Sequence, residues 1–318
     1  MPLRSPSAVL NFLAYHSPSP FLRSATRSFT RTTTMSSPLT LQSTLPLPNT
    51  TLTIPRLGFG VYQSHGPTCI QSCLTALKAG YRHIDTAQYY ANESQVGDAV
   101  RQSGVARSDV FLTSKILSAG TDAEETYQKI IESVEKIDKG GYVDLFLIHS
   151  PSSGTAGRKL MWQALERAHT EGRLKAIGVS NFGAQHIEEM KSYAKVWPPH
   201  VNQIELHPWC QQKEAVAYCQ KNGIVVEAYC PLVRNEKAED KTLNAIADKY
   251  GKGTGQVLVR WSLQRGWVPL PKSDTPSRIE GNKDLYDFEL SKEDMEKLDA
   301  LDQGAKGAIV QAVSNDST

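Results

Sequence analysis

"YVDLFLIHSP", residues 142–151, is apolar without interruption from Leu145 to Ile148 and stops abruptly at His149. A run this short, bounded by polar residues, reads as a strand covered on both faces, the kind found in parallel sheets. Its end is the one side chain that titrates near neutral pH, which makes the strand end the place to look for chemistry.

Similar apolar or β-branched runs occur near 57–61, 82–85, 110–114, 175–179, 201–204, 224–228 and 267–270, each followed by polar loop residues and a helical pattern. Together with 144–148 they predict eight strands. Eight βα units in about 250 residues match an α/β fold of the (β/α)8 TIM-barrel type. Ahead of it, "STLPLPNTTLTIPRLGFG" alternates around Pro48-Asn49 and predicts an N-terminal β-hairpin; behind it lie a C-terminal helix and tail. Thr121 with Glu124, and Ser291 with Asp294, are capping-box signatures for two of the helices. A doubly wound sheet is disfavoured, because "GFGVYQ" at 58–63 and "GKGTG" at 251–255 both fail the GxGxxG pattern.

The chain has 318 residues, 40% of them hydrophobic, enough for one large barrel. Its formal charge is +2, and the first acid is Asp85. Seven basic residues precede Asp85; subtracting them from the 35 Lys plus Arg leaves 28 against 33 acids, so the rest is mildly acidic. No basic face for nucleic acid is expected. Five cysteines (Cys69, Cys73, Cys210, Cys219, Cys230) form neither an even set nor a CxxC pattern, so neither a disulfide framework nor a zinc site is expected. No apolar run approaches the ~18 residues of a membrane span.

Residues 1–36 are rich in Arg, Ser and Thr and contain no acid, the composition of a mitochondrial transit peptide. The competing reading is an unstructured leader before a second start at Met35. The expected division is therefore a leader over 1–38 and the barrel over 39–318. The expected location is the cytosol, or the mitochondrial matrix if residues 1–34 act as a transit peptide.

In a TIM barrel the chemistry sits where the parallel strands end. His149 ends the fourth barrel strand, Lys115 ends "VFLTSK" and Asp85 ends "YRHID". Singly, each has a plain structural explanation: a hydrogen-bonded histidine, a solvated rim charge, a helix cap. On three consecutive strands they form a constellation. "DTAQYYANE" adds Tyr89 and Tyr90 just after Asp85. A free phenol has a pKa near ~10, and a neighbouring ammonium favours the phenolate and lowers it. Lys115 can act in this way while Asp85 keeps it charged, and His149 can orient a carbonyl oxygen. The set suits carbonyl reduction.

At these residues the sequence resembles the aldo-keto reductase superfamily. "GYRHIDTAQYYANE", "FLTSKI", "LFLIHSP", "GVSNF", "VNQIELHP", "EAYCPL" and "LPKSDTPSRIEGN" follow one another in family order from about residue 44 to the end. The resemblance implies a barrel that binds NADPH across its rim and reduces an aldehyde or ketone. It implies Tyr90 as general acid, with Asp85 and Lys115 tuning it and His149 orienting the carbonyl. Tyr90 rather than Tyr89 lies two residues before Asn92, where the family places its donor. It further implies Ser180, Asn181 and Gln203 at the nicotinamide carboxamide, Tyr229 stacked on the ring, and Pro231, Leu232 and Asn282 along the cofactor.

Lys272, Ser273, Thr275 and Arg278 cluster after the last strand, where Pro276 can open a helix. This is a group suited to a 2′-phosphate, hence NADPH (NADP+) over NADH. The sequence departs from the family at Gly281, where Glu commonly reaches the adenine, and at Cys230, where Ser is usual. Tyr62 and Ser150 stand where Trp is frequent, so these two and His149 are expected to line a wider or more polar substrate pocket.

None of the 12 tyrosines is followed four residues later by Lys, which excludes the short-chain dehydrogenase pattern. Glu205 and His207 in "IELHP" are the nearest metal-ligand candidates and do not make a site, so no metal is expected. The remaining rival is a non-catalytic or weakly active NADPH-binding barrel with a regulatory or structural role. The expected state is a monomer acting on a small-molecule carbonyl.

Overall fold

The computed structural model describes residues 38–315. The leader assigned to residues 1–38 lies outside them except for Pro38, and the compact unit that carries the barrel begins at Leu39.

All eight anticipated barrel strands form: β3 (Phe59–Gly60), β4 (His83–Asp85), β5 (Phe111–Ile116), β6 (Val143–Ile148), β7 (Leu174–Ser180), β8 (Val201–Glu205), β9 (Val225–Tyr229) and β10 (Val268–Pro269). They pair in chain order and all in parallel. The first strand meets the last through Gly58 N–H to Pro269 O and Gly60 N–H to Pro271 O, both 3.1 Å. These bonds complete the ring of the TIM barrel.

The helices α1 (Gly66–Lys78), α2 (Glu93–Gln102), α3 (Ala123–Ile137), α4 (Gly154–Thr170), α5 (Ala184–Met190), α6 (Lys213–Lys221), α7 (Lys241–Tyr250) and α8 (Thr254–Gln264) come next, then α9 (Pro276–Gly281) and α10 (Lys292–Asp299). Ser291 caps α10 as expected, accepting from Asp294 N–H at 3.2 Å. At α3 the cap falls one residue later than expected. Asp122 accepts from Glu125 N–H at 2.8 Å, while Thr121 donates its hydroxyl and amide to the Glu125 carboxylate. An ionised carboxylate is the stronger acceptor for an orphan amide, so Asp122 takes the cap from its neighbour.

Strand alternation sorts the core into two. Leu145 and Leu147 of β6 face the barrel interior, in one cluster with Phe111, Ala176, Val201, Val268 and Leu270. Phe146 and Ile148 face the helices, in the larger outer cluster with Trp162 and Leu165. The hairpin, β1 (Thr44–Pro46) against β2 (Thr53–Pro55), is antiparallel as anticipated. Its Leu47 and Ile54 join the interior cluster at Phe111, Val201 and Val268, the opening residues of their strands. The hairpin thus covers the amino-terminal mouth of the barrel and leaves the carboxyl ends to the site. Gly178 shows how tight the interior is: a Cβ there would meet Val201 O at 2.6 Å and Leu147 Cδ2 at 2.8 Å. Among the described residues no helix is long and apolar enough to cross a membrane.

Candidate active site

Alternation along each strand sends His83 and Asp85, Thr113 and Lys115, Gln203 and Glu205, Glu227 and Tyr229 inward in pairs. The register sets the pairs side by side, with Asp85 opposite Thr113 and Gln203 opposite Glu227. The interior therefore changes from Leu and Val near the hairpin to ionisable groups at the far mouth.

Lys115 is fully buried. Its Nζ donates to Asp85 Oδ1 at 2.7 Å, to Thr86 O at 2.9 Å and to Tyr90 Oη at 3.4 Å. Tyr90 stands on a short 3-10 turn (Gln88–Tyr90) that ends at Ala91, whose backbone is left-handed. Buried Asn92 fixes this turn by donating to Val61 O and Ser64 O and accepting from Thr86 Oγ1. The Tyr90 ring lies 5.0 Å from that of Tyr62 and 5.7 Å from that of His149. Tyr89, by contrast, is 60% exposed.

Burial raises the Tyr90 phenol above its ordinary value, and the Lys115 ammonium offsets part of that rise. This differs from the net lowering expected from the residue types alone, because strand ends carry no information about desolvation. Burial by itself would lower Lys115, but the Asp85 carboxylate beside it holds it above the usual lysine value. Burial and the Lys115 charge push His149 down to about 3, so its imidazole is neutral at physiological pH.

One layer deeper, Gln203 Nε2 donates to both Asp85 Oδ2 and Glu227 Oε2, each at 2.8 Å. Glu227 belongs to none of the residues anticipated for the site, although a lone acid inside "GIVVEAY" is a visible anomaly. Burial and the Asp85 charge push its carboxyl up to about 8. A carboxyl raised on folding contributes most below its unfolded pKa near ~4.5, and that contribution is lost as pH rises through the folded value. Glu227→Gln, which keeps an acceptor for Gln203, is therefore expected to flatten the decline in stability between pH 5 and 8 by roughly 2–4 kcal/mol. Thermal unfolding of both proteins across that range checks it; parallel curves would refute it.

Above the interior lies a cavity of about 460 Å³ lined by Tyr62, Asp85, Tyr90, His149, Ser150, Ser180, Asn181, Gln203, Tyr229, Pro231, Leu232 and Lys272. A second cavity of about 520 Å³ is lined by Leu232, Lys272, Ser273, Arg278, Gly281 and Asn282. The two share Leu232, Arg234 and Lys272, so they form one trough. Every residue anticipated for the site lines it except two. Lys115 lies buried beneath it, behind Asp85 and Tyr90, and Thr275 is exposed and bonded to Ser273. Gly60, Gln63, Leu117, Arg234, Leu270, Val310 and Gln311 line it without having been anticipated.

Asn181 donates to His149 O at 3.0 Å and accepts from Tyr229 Oη at 2.9 Å, while Ser180 donates to Gln203 O at 2.8 Å. Lys272 is held by Asp274 at 2.5 Å, whereas the Arg278 guanidinium has no partner among the described residues. Around Gly281 a Cβ would meet nothing within 4 Å, so this end of the trough is roomy.

Comparison with known proteins points one way. Residues 56–303 match the model of the aldo/keto reductase family. An uncharacterised oxidoreductase of Schizosaccharomyces pombe is 46% identical, over 80% of this chain and 92% of its own. A glyoxal reductase of Bacillus subtilis is 42% identical, over 84% and 95% respectively. The crystal structure of a Bombyx mori aldo-keto reductase in complex with NADP superimposes with a TM-score of 0.78 at 32% identity, covering 86% of this chain and 96% of that one.

Proposed function

Since this chain belongs to the aldo/keto reductase family of oxidoreductases, we propose that it reduces an aldehyde or ketone to the alcohol with NADPH, Tyr90 being the proton donor. The observation that carries the reading is the Tyr90 oxygen 3.4 Å from the Lys115 ammonium, itself 2.7 Å from Asp85, at the cavity that also holds His149.

The trough fits a dinucleotide in its donor set. Its inner end offers the aromatic ring of Tyr229 and the carbonyl side of the Gln203 amide; its outer end offers Lys272, Ser273 and Arg278 to an anion. When bound, NADPH supplies the hydride. The protein's part is to meet the charge that develops on the carbonyl oxygen. Tyr90 keeps its proton at neutral pH because burial raises its phenol, and gives it up to a more basic oxygen. Lys115, held charged by Asp85, then stabilises the phenolate across the same contact. His149 Nδ1 is buried without a hydrogen-bond partner, which favours the neutral ring with its proton on Nε2, the nitrogen available to a substrate oxygen. The direct test is loss of NADPH absorbance with a simple aldehyde.

Cofactor choice is testable separately. Arg278→Ala is expected to raise KM for NADPH by about tenfold, the loss of one charge-assisted contact, and to leave KM for NADH unchanged. An equal effect on both cofactors would remove Arg278 from the 2′-phosphate.

A further inference from the structure

Glu205 ends β8 two residues beyond Gln203 and is fully buried, yet neither Tyr90 nor Lys115 touches it. Its carboxylate instead accepts from three successive backbone amides of the C-terminal tail: Ile309 at 2.5 Å, Val310 at 2.8 Å and Gln311 at 2.8 Å. His207 Nε2 lies 2.8 Å from the same carboxylate. A second anchor comes from Gln212, whose side chain donates to Glu205 O at 2.5 Å and accepts from Val313 N–H at 2.6 Å. Gln212 is held for this in a left-handed backbone conformation, φ 42°, unusual for a residue other than glycine.

What the clamp positions is a wall of the cavity. Val310 and Gln311 line it. Three large hydrophobic side chains of the described residues are notably exposed, Tyr89, Leu117 and Val310, and all three line this cavity. Exposed apolar surface gathered at a single mouth marks a contact surface for an apolar ligand group. Tyr62 and Ser150 line the same cavity, so its wall carries hydroxyls at those positions and apolar side chains at the lip.

We infer that Glu205 is a positioning residue for substrate selectivity, clamping the tail so that Val310 closes an apolar lip with Tyr89 and Leu117 over the aryl or branched alkyl arm of the carbonyl substrate. The inference rests on the reductase reading for its kinetics, but the clamp itself does not. Ile309 donates to one carboxylate oxygen and Val310 and Gln311 to the other, so on conversion to an amide at least one of these bonds is lost, because the new NH2 is a donor facing a donor.

The test uses the full chain, Glu205→Gln, and a chain lacking residues 309–318, with benzaldehyde and methylglyoxal as substrates. Glu205→Gln is expected to raise KM for benzaldehyde about tenfold while kcat for methylglyoxal stays within about twofold. Amide exchange at Ile309, Val310 and Gln311 should quicken by roughly 100-fold. The shortened chain should show the same shift in selectivity, and adding Glu205→Gln to it should change nothing further. Protected tail amides in Glu205→Gln, a freed tail with unchanged selectivity, or an additional effect in the shortened chain would each overturn the inference. If Glu205→Gln does not fold, Gln212→Ala breaks only the second anchor; a smaller shift in the same direction supports the clamp, and none refutes it. If the unaltered chain reduces neither aldehyde, the reductase reading falls, while tail exchange still decides whether Glu205 holds the tail.

Discussion

Tyr90→Phe is expected to lower kcat by roughly 10³-fold, within the range that a positioned general acid contributes, while the Kd for NADPH stays within about twofold. The substitution removes one oxygen and little else. The ring remains packed against the core and 5.0 Å from Tyr62, and the Lys115 ammonium stays 4.8 Å from its centroid. The lost contact to Lys115 is long, so stability should change by no more than about 1 kcal/mol. Tyr89→Phe is the control: its ring is 60% exposed and should tolerate the change with near-normal turnover. Measured kcat and cofactor binding for both variants decide the assignment. Retained turnover in Tyr90→Phe ends the proposed mechanism, and collapse in Tyr89→Phe transfers the role to the neighbour.

Lys115→Met should damage the protein in two separable ways. It leaves the Asp85 carboxylate, 2.7 Å away and nearly buried, without its counterion, a situation that costs about 3–5 kcal/mol. It also removes the charge that would receive the phenolate, and turnover should fall by at least ~10²-fold. The double variant Asp85→Asn, Lys115→Met tells the two apart. With both charges gone and Met occupying much of the lysine stem's space, most of the lost stability should return, while turnover should not. Chemical denaturation and kcat on the three proteins give the comparison. If the double variant is as unstable as Lys115→Met, the pair is not held together by charge; if it turns over normally, neither group serves the reaction.

Whether a feature of this site is legible in the chain depends on whether it is local. Asp85, Lys115 and His149 stand out because each is an ionisable group at the end of a strand segment, and Ser291 announces its helix by local hydrogen-bonding chemistry. The α3 cap falls one residue from its expected place because Thr121 and Asp122 both qualify, and only the observed hydrogen bonds rank them. Glu205 is visible in the chain solely as a metal-ligand candidate; the tail amides it holds lie about 100 positions further along. Glu227 escapes notice because what makes it matter, the Gln203 amide shared with Asp85, joins three strands.

Short apolar runs, the count of βα units and the residues at strand ends are by themselves sufficient to specify a parallel barrel and the mouth at which its ionisable groups collect. These depend on short-range rules: which side chains share a face, and where the chain turns. The three-dimensional packing alone decides that burial lifts the Tyr90 phenol against the pull of Lys115, that burial and Asp85 lift the Glu227 carboxyl, and that Glu205 holds the tail at the lip. Each of those outcomes is a balance of desolvation against contacts between residues far apart in the chain, and such a balance exists only once the strands stand side by side.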